Sequence, residues 1–226
     1  MEQILYEDDD IIIIHKPGGI PVQTSRLGEK DLVSLLKIYR VQKKEKPYIG
    51  VVHRLDQPVE GLLVFAKTKE AAAALSAQSK GRSMDKFYRA VVYNQTGEPL
   101  VVGAEGTLTD YLLRDGKTNT SKVVKEGVKD AKEAVLHYKV LRVKDNLAEL
   151  SIQLETGRHH QIRVQMANAA LPLVGDKKYG LQESLPMEGA GRNVALCSSR
   201  LVLKHPKTGK KVKFEIEPEN PTFQLL

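Results

Sequence analysis

Apolar residues in this chain fall into short blocks with two different rhythms. Residues 11–15 (IIIIH) form an almost unbroken apolar run, which predicts a buried strand. The Lys16-Pro17-Gly18-Gly19 that follows closes it as a loop. Between 31 and 40 the apolar positions are 32, 35, 36 and 39, the spacing of one helical face, and Asp31 is placed to cap it. Residues 61–67 predict a strand, and the alanine-rich 69–79 a helix stopped by Lys80-Gly81. A further strand is predicted over 87–93. Apolar–polar alternation over 135–143 and 147–154, joined by Lys144-Asp145-Asn146, predicts a hairpin. Residues 160–170 suit a helix that starts just after Gly157, and short strands over 201–203 and 212–216 flank a turn at 207–210. Strands outnumber helices and several are hairpin-linked, so the expected class is α+β with a largely antiparallel sheet. A length of 226 residues, without repeat or low-complexity linker, predicts a single domain over 1–226.

Composition narrows the chemistry more than the fold. Lys and Arg number 35 against 28 for Asp and Glu, a net charge of +7 that permits a polyanionic partner without requiring one. The charge is unevenly spread. Residues 1–36 carry a net −4 and residues 37–54 a net +5, and a second basic stretch runs over 204–213. The positive run leads into a loop of interest below, and the acidic start is expected to face away from any bound nucleic acid. One cysteine, Cys197, excludes an internal disulfide and a cysteine-based zinc site, and its strand-like surroundings read as core. No apolar run approaches a membrane span and acidic residues crowd the first ten positions, so a cytoplasmic location without membrane contact is expected. Tryptophan is absent and aromatics are 5%, which argues against a broad platform for stacking single strands.

Two polar segments could carry chemistry. HRLDQPVEGLLVFAKT, residues 53–68, places Asp56 in a loop stiffened by Pro58 and followed by a strand, a good setting for a carboxylate that projects into a cleft. TGRHHQIRVQMA, residues 156–167, brings cationic and polar side chains to a helix start, where unpaired N–H groups favour anions. Arg158 and Arg163 do not share a helical face and suit different partners, one a phosphate and the other a buried carboxylate. His159 and His160 are adjacent, poor geometry for one metal ion, so no metal site is expected. Neither a phosphate-binding glycine loop nor a G-x-S-x-G element is present.

The order of these segments resembles the RluA-type RNA pseudouridine synthases. His53-Arg54-Leu55-Asp56 followed by GLLVFAK is similar to the family's catalytic motif, and residues 7–22 to its N-terminal strand and turn. Lys86-Phe87-Tyr88-Arg89-Ala90 is similar to its tyrosine strand, and GRHHQIRV, residues 157–164, to its arginine motif, with Gly175-Asp176 and Tyr179-Gly180 after it. The resemblance implies a mixed, mostly antiparallel central sheet with flanking helices and a basic cleft, and the isomerisation of uridine in rRNA or tRNA to pseudouridine. It implies Asp56 as the catalytic carboxylate, Tyr88 as the base acting at C5, and Arg163 as the partner of Asp56. Arg54 would fill the gap left by a flipped base and Ile162 would wall the target base. His53, Arg158, His160 and Gln161 complete the implied RNA- or base-binding set.

No redox change and no donated group is involved, so no cofactor is expected. A guanidinium beside a buried carboxylate keeps it ionised and directed. Val59-Glu60 stands where relatives usually have Thr-Ser, and Gln165 where His is common. Few residues precede the first strand, so a catalytic domain without the S4 RNA-binding module of many relatives is expected, acting as a monomer. The alternatives are a non-catalytic RNA-binding or RNA-folding factor on the same scaffold, which has no need of Asp56, Tyr88 and Arg163 together, and a hydrolase using Asp56 with the histidines and a metal.

Overall fold

The computed structural model describes residues 3–24, 28–180 and 189–226. The chain divides into two compact units, residues 1–86 with 198–217, and residues 87–197 with 218–226. Both are discontinuous in sequence, which is why no linker marks a boundary and a single domain is the natural reading of the chain.

In the first unit, β1 (Ile4–Glu7), β2 (Ile11–Lys16), β4 (Glu60–Ala66) and β10 (Leu196–Lys204) lie side by side in that order. β11 (Lys211–Glu215) pairs with β10, and the two-residue β3 (Gly50–Val51) with β4. Every residue of β2 is buried. Its isoleucines therefore run on without alternation, as in a strand covered on both faces. Ile11 and Ile13 share one side with Leu62, Val64 and Ala66 of β4 and with Leu201 and Leu203 of β10, and Ala71 and Leu75 of α2 (Lys69–Lys80) pack against them. α1 (Leu32–Gln42) begins as expected, with the Asp31 carboxylate accepting from the Ser34 amide at 2.7 Å. Thr68 plays the same part for α2.

In the second unit, β5 (Asp85–Tyr93), β9 (Leu147–Leu154), β8 (Lys132–Lys144), β6 (Glu105–Asp115) and β7 (Thr120–Val124) form an antiparallel succession in that order. α3 (Gln161–Asn168) packs on β6 and β7, its Val164 joining Leu112 of β6 and Ala134 of β8 in a small cluster against which Val123 of β7 lies. It is shorter than the periodicity suggests, because Ala169 ends it and Ala170 turns into the left-handed region at φ 56°. The class is α+β and mostly antiparallel, as expected. Among the described residues no helix is long and apolar enough to cross a membrane.

The acidic start and the basic run do not separate in space. Glu7 receives Lys67 at 2.7 Å, Lys43 at 3.0 Å and the Tyr39 hydroxyl at 2.8 Å, while Arg40 and Lys67 also hold Glu45. Asp8 caps the β1–β2 turn through the amides of Asp10 and Ile11 and receives His205 at 2.8 Å. Part of the basic run, Lys43, thus neutralises the acidic start at Glu7. Burial opposes ionisation of both carboxyls, but these hydrogen bonds outweigh it and hold each at about 2. In the unfolded chain they titrate near their ordinary values, about 4. Their stabilisation is therefore complete above that range and lost as pH falls from there toward 2. Urea midpoints measured from pH 6 to 2.5 should fall with acid, and Glu7→Gln should be less stable at pH 6 and flatten that fall. An unchanged slope in the variant would remove Glu7 from this account.

Candidate active site

In the first unit the chain leaves β3 and reaches β4 through residues 52–59, the loop that carries Asp56. The Val64 amide of β4 donates to His53 Nε2 at 3.2 Å, so this nitrogen is the acceptor and the ring proton sits on Nδ1. Burial, with the charge of Lys86, pushes the imidazole down to about 3 and keeps it neutral. The ring anchors the start of the loop against β4. Leu55 is buried beside it, Arg54 is exposed and Asp56 is half-buried. The Val59 amide donates to the Asp56 carbonyl at 3.1 Å and closes the loop.

Behind this loop lies Lys16. The sequence places it in a loop; the fold makes it the last residue of β2 and buries it completely. Its ammonium donates to the carbonyls of Pro17 and Ile20 at 2.8 Å each and of Gln57 at 3.0 Å. The Gly19 amide donates to the same Gln57 carbonyl at 2.7 Å, and the Gln57 side chain returns a bond to the Gly19 carbonyl at 3.0 Å. The turn at 17–20 and the Asp56 loop are thus stitched together around one cation. Burial pulls Lys16 down to about 7, while the charges of Asp56 and Glu60 pull it up. Only the ammonium form has enough protons for all three carbonyls. Val59 and Glu60, the departures from the family pattern, are both buried, so the exchange changes the inner side of the loop.

Lys16→Met removes a costly buried charge but leaves the Pro17 and Ile20 carbonyls without this donor. The expected net loss is about 2 kcal/mol in urea denaturation. Amide exchange at Gly19 should accelerate, with α2 unaffected. An unchanged Gly19 rate would show that Lys16 does not hold the loop.

In the second unit Tyr88 lies on β5, buried and opposite Ile152 of β9. The turn into α3 gathers the rest of the expected set. His160 precedes the helix in the left-handed conformation, φ 54°. Gln161 is buried, and both ends of its amide are engaged with the chain. Its oxygen accepts from Thr156 Oγ1 at 2.8 Å and the Arg158 amide at 2.9 Å, and its nitrogen donates to the Val135 carbonyl at 3.1 Å. These bonds hold the 156–161 turn together. Arg158 stays half-exposed, with Nε donating to the Glu133 carbonyl at 2.7 Å. Ile162 is buried.

Arg163 is buried and meets a buried carboxylate. That carboxylate is Asp176, which accepts from Nε and Nη2 at 2.7 Å each. Asp176 is held below the usual carboxylate range: burial raises it, but the Arg163 hydrogen bonds and charge lower it further. Its part was visible in the sequence only as one residue of the Gly175-Asp176 pattern. Gln165 points inward and donates to Asp110 at 2.8 Å and to the Ala134 carbonyl at 3.1 Å.

Two solved human structures share this fold. RNA Pseudouridylate Synthase Domain Containing 4 superposes with a TM-score of 0.74 at 23% identity, covering 96% of this chain and 89% of that one. RNA Pseudouridylate Synthase Domain Containing 1 gives 0.75 at 22%, covering 96% and 83%. In sequence, residues 10–168 match the family model described as RNA pseudouridylate synthase. The chain belongs to that family, and its reaction is the isomerisation of uridine in RNA. It is 36% identical over 224 residues to Ribosomal large subunit pseudouridine synthase D of Pseudomonas aeruginosa, covering 94% of this chain and 67% of that protein. It is 34% identical to Uncharacterized RNA pseudouridine synthase YlyB of Bacillus subtilis, covering 99% and 71%. The Neisseria meningitidis synthase D is 35% identical, and this chain spans 60% of its length.

Proposed function

We propose that the chain converts uridine in structured ribosomal RNA to pseudouridine, with Asp56 as the catalytic carboxylate, Tyr88 as the base at C5 and Arg163 as the partner that directs Asp56. The observation that carries this reading is the construction of the Asp56 loop. Three carbonyl bonds from a buried lysine and a ring–amide bond hold a half-buried aspartate beside an exposed arginine. A fixed carboxylate is what the chemistry needs, because the N1–C1′ bond breaks, C5 joins C1′, and the C5 proton leaves as N1 gains one. No atom is added or lost overall. Arg54, exposed on the loop, fills the gap left by the flipped base, and the base is walled by Ile162. Arg158 and His160 contact the RNA, while His53 and Gln161 support the two segments from within. The chain acts as a monomeric catalytic domain, and the large-subunit rRNA named for the relatives is the first substrate to try.

Purified protein incubated with large-subunit rRNA transcripts carrying tritium at uridine C5 should release it, and carbodiimide mapping should place the product at discrete uridines. tRNA transcripts run in parallel decide between the two RNA classes. Binding without tritium release from any cellular RNA would leave the RNA-binding factor as the function.

A further inference from the structure

Around Arg163 the second unit builds a network that none of the roles above requires. Asp176 grips the guanidinium edge through Nε and Nη2. Such a bidentate pair fixes the direction of the fork in its plane but leaves it able to rock about that edge. The guanidinium lies over the ring of Tyr179, with Cζ 5.2 Å from the centroid. Tyr179 is itself fixed on three sides. Its amide and that of Lys178 donate to Asp176 Oδ1 at 3.2 and 2.9 Å. Its hydroxyl oxygen accepts from the Ser121 amide of β7 at 2.7 Å and lies 2.7 Å from His160 Nδ1. Tyr179 packs against the cluster of Leu112, Ala134 and Val164, and the His160 ring stands edge-on to its ring at 5.5 Å. Ser121 Oγ donates to the His159 carbonyl at 2.9 Å, so Ser121 ties β7 both to the α3 turn and to Tyr179.

We propose that Tyr179 is the positioning residue for Arg163: its ring stops the guanidinium from rocking, and its hydroxyl, held by the Ser121 amide and His160, sets the ring. This rests on the reading of Arg163 as part of the active centre. Tyr179→Phe keeps the ring and its packing but frees it from β7. Tyr179→Leu removes the aromatic face.

The test joins single-turnover pseudouridine formation under saturating enzyme to the ¹⁵N resonance of Arg163 Nε–H, assigned by its loss in Arg163→Lys. The rate should fall about tenfold in Tyr179→Phe and about a hundredfold in Tyr179→Leu. RNA affinity should stay within about twofold in both, since the group acts after binding. The Arg163 Nε–H signal should lose its ring-current shift in the Leu variant and keep most of it in the Phe variant. A purely structural tyrosine would lower the melting temperature and the active fraction without moving the rate per active molecule or that signal. Tyr179→Leu turning over at the wild-type rate, or slowly with the Arg163 signal unmoved, overturns the proposal. Should the Leu variant not fold, an unchanged rate in Tyr179→Phe overturns it. Wild-type protein that forms no pseudouridine overturns the functional reading instead, and the Arg163 signal in the Leu variant then decides the positioning by itself.

Discussion

Asp56→Asn should lower pseudouridine formation by about 10⁴-fold while leaving folding and RNA affinity close to wild type. The amide has the shape of the carboxylate but neither its charge nor its basicity. It fails equally as a nucleophile at C1′ and as a base toward the ribose 2′ proton, so the prediction does not depend on which route operates. The loop should survive, because its bonds run through the backbone: Gln57 accepts from Lys16 and Gly19, and Val59 donates to the Asp56 carbonyl. One side effect is expected. The charge of Asp56 helps keep Lys16 protonated, and its loss should move the titration of that lysine lower. Tritium release, a binding titration and a melting curve on the same preparation separate these effects. Turnover within tenfold of wild type would end the assignment of Asp56.

Gly61→Ala should cost about 3–5 kcal/mol and is the most damaging small substitution expected in the first unit. Gly61, the second residue of β4, lies opposite Lys16 at φ 126°, a conformation that side-chain-bearing residues rarely adopt. A Cβ there would lie 2.4 Å from the Ser198 nitrogen, 2.6 Å from its carbonyl oxygen and 2.7 Å from its Cα. Backbone in the middle of a sheet cannot step aside, so β4 and β10 would be forced apart at the end that carries the Asp56 loop. Gly97→Ala is the control. Its φ of 82° is also positive, but nothing lies within 4 Å of the added carbon, and about 1 kcal/mol is expected. Urea denaturation of both variants checks the difference. Equal losses would show that backbone conformation, and not the approach of Ser198, sets the demand for glycine at 61.

The elements read correctly from the chain are those whose pattern is local. Ile11 to Ile14, the alanine-rich α2 and the Asp31 cap announce themselves within a few residues. β1, β3, β6 and β7 leave no such trace; in β6 Leu112 alone is buried, so no row of apolar side chains marks an inner face. The Asp56 loop and the arginine turn were legible as motifs, but the inner or outer side of each polar residue was not. His53 and Gln161 look like ligands for RNA in the sequence, and their polar atoms meet Val64, Thr156, Arg158 and Val135. A polar side chain has the same letter whether it faces solvent or satisfies a buried amide.

Charge shows the same division. The sequence by itself determined the net positive balance, the α+β class, the ordered motifs and hence the family. Only the tertiary structure decided that Glu7 neutralises Lys43 and Lys67, 36 and 60 residues away, that Lys16 is buried behind the Asp56 loop, and that Asp176 and Tyr179 hold Arg163. The physical reason is range. Periodicity and capping act over a few residues and leave a trace in the order of the letters, whereas desolvation and ion pairing depend on distances that exist only after the strands have paired.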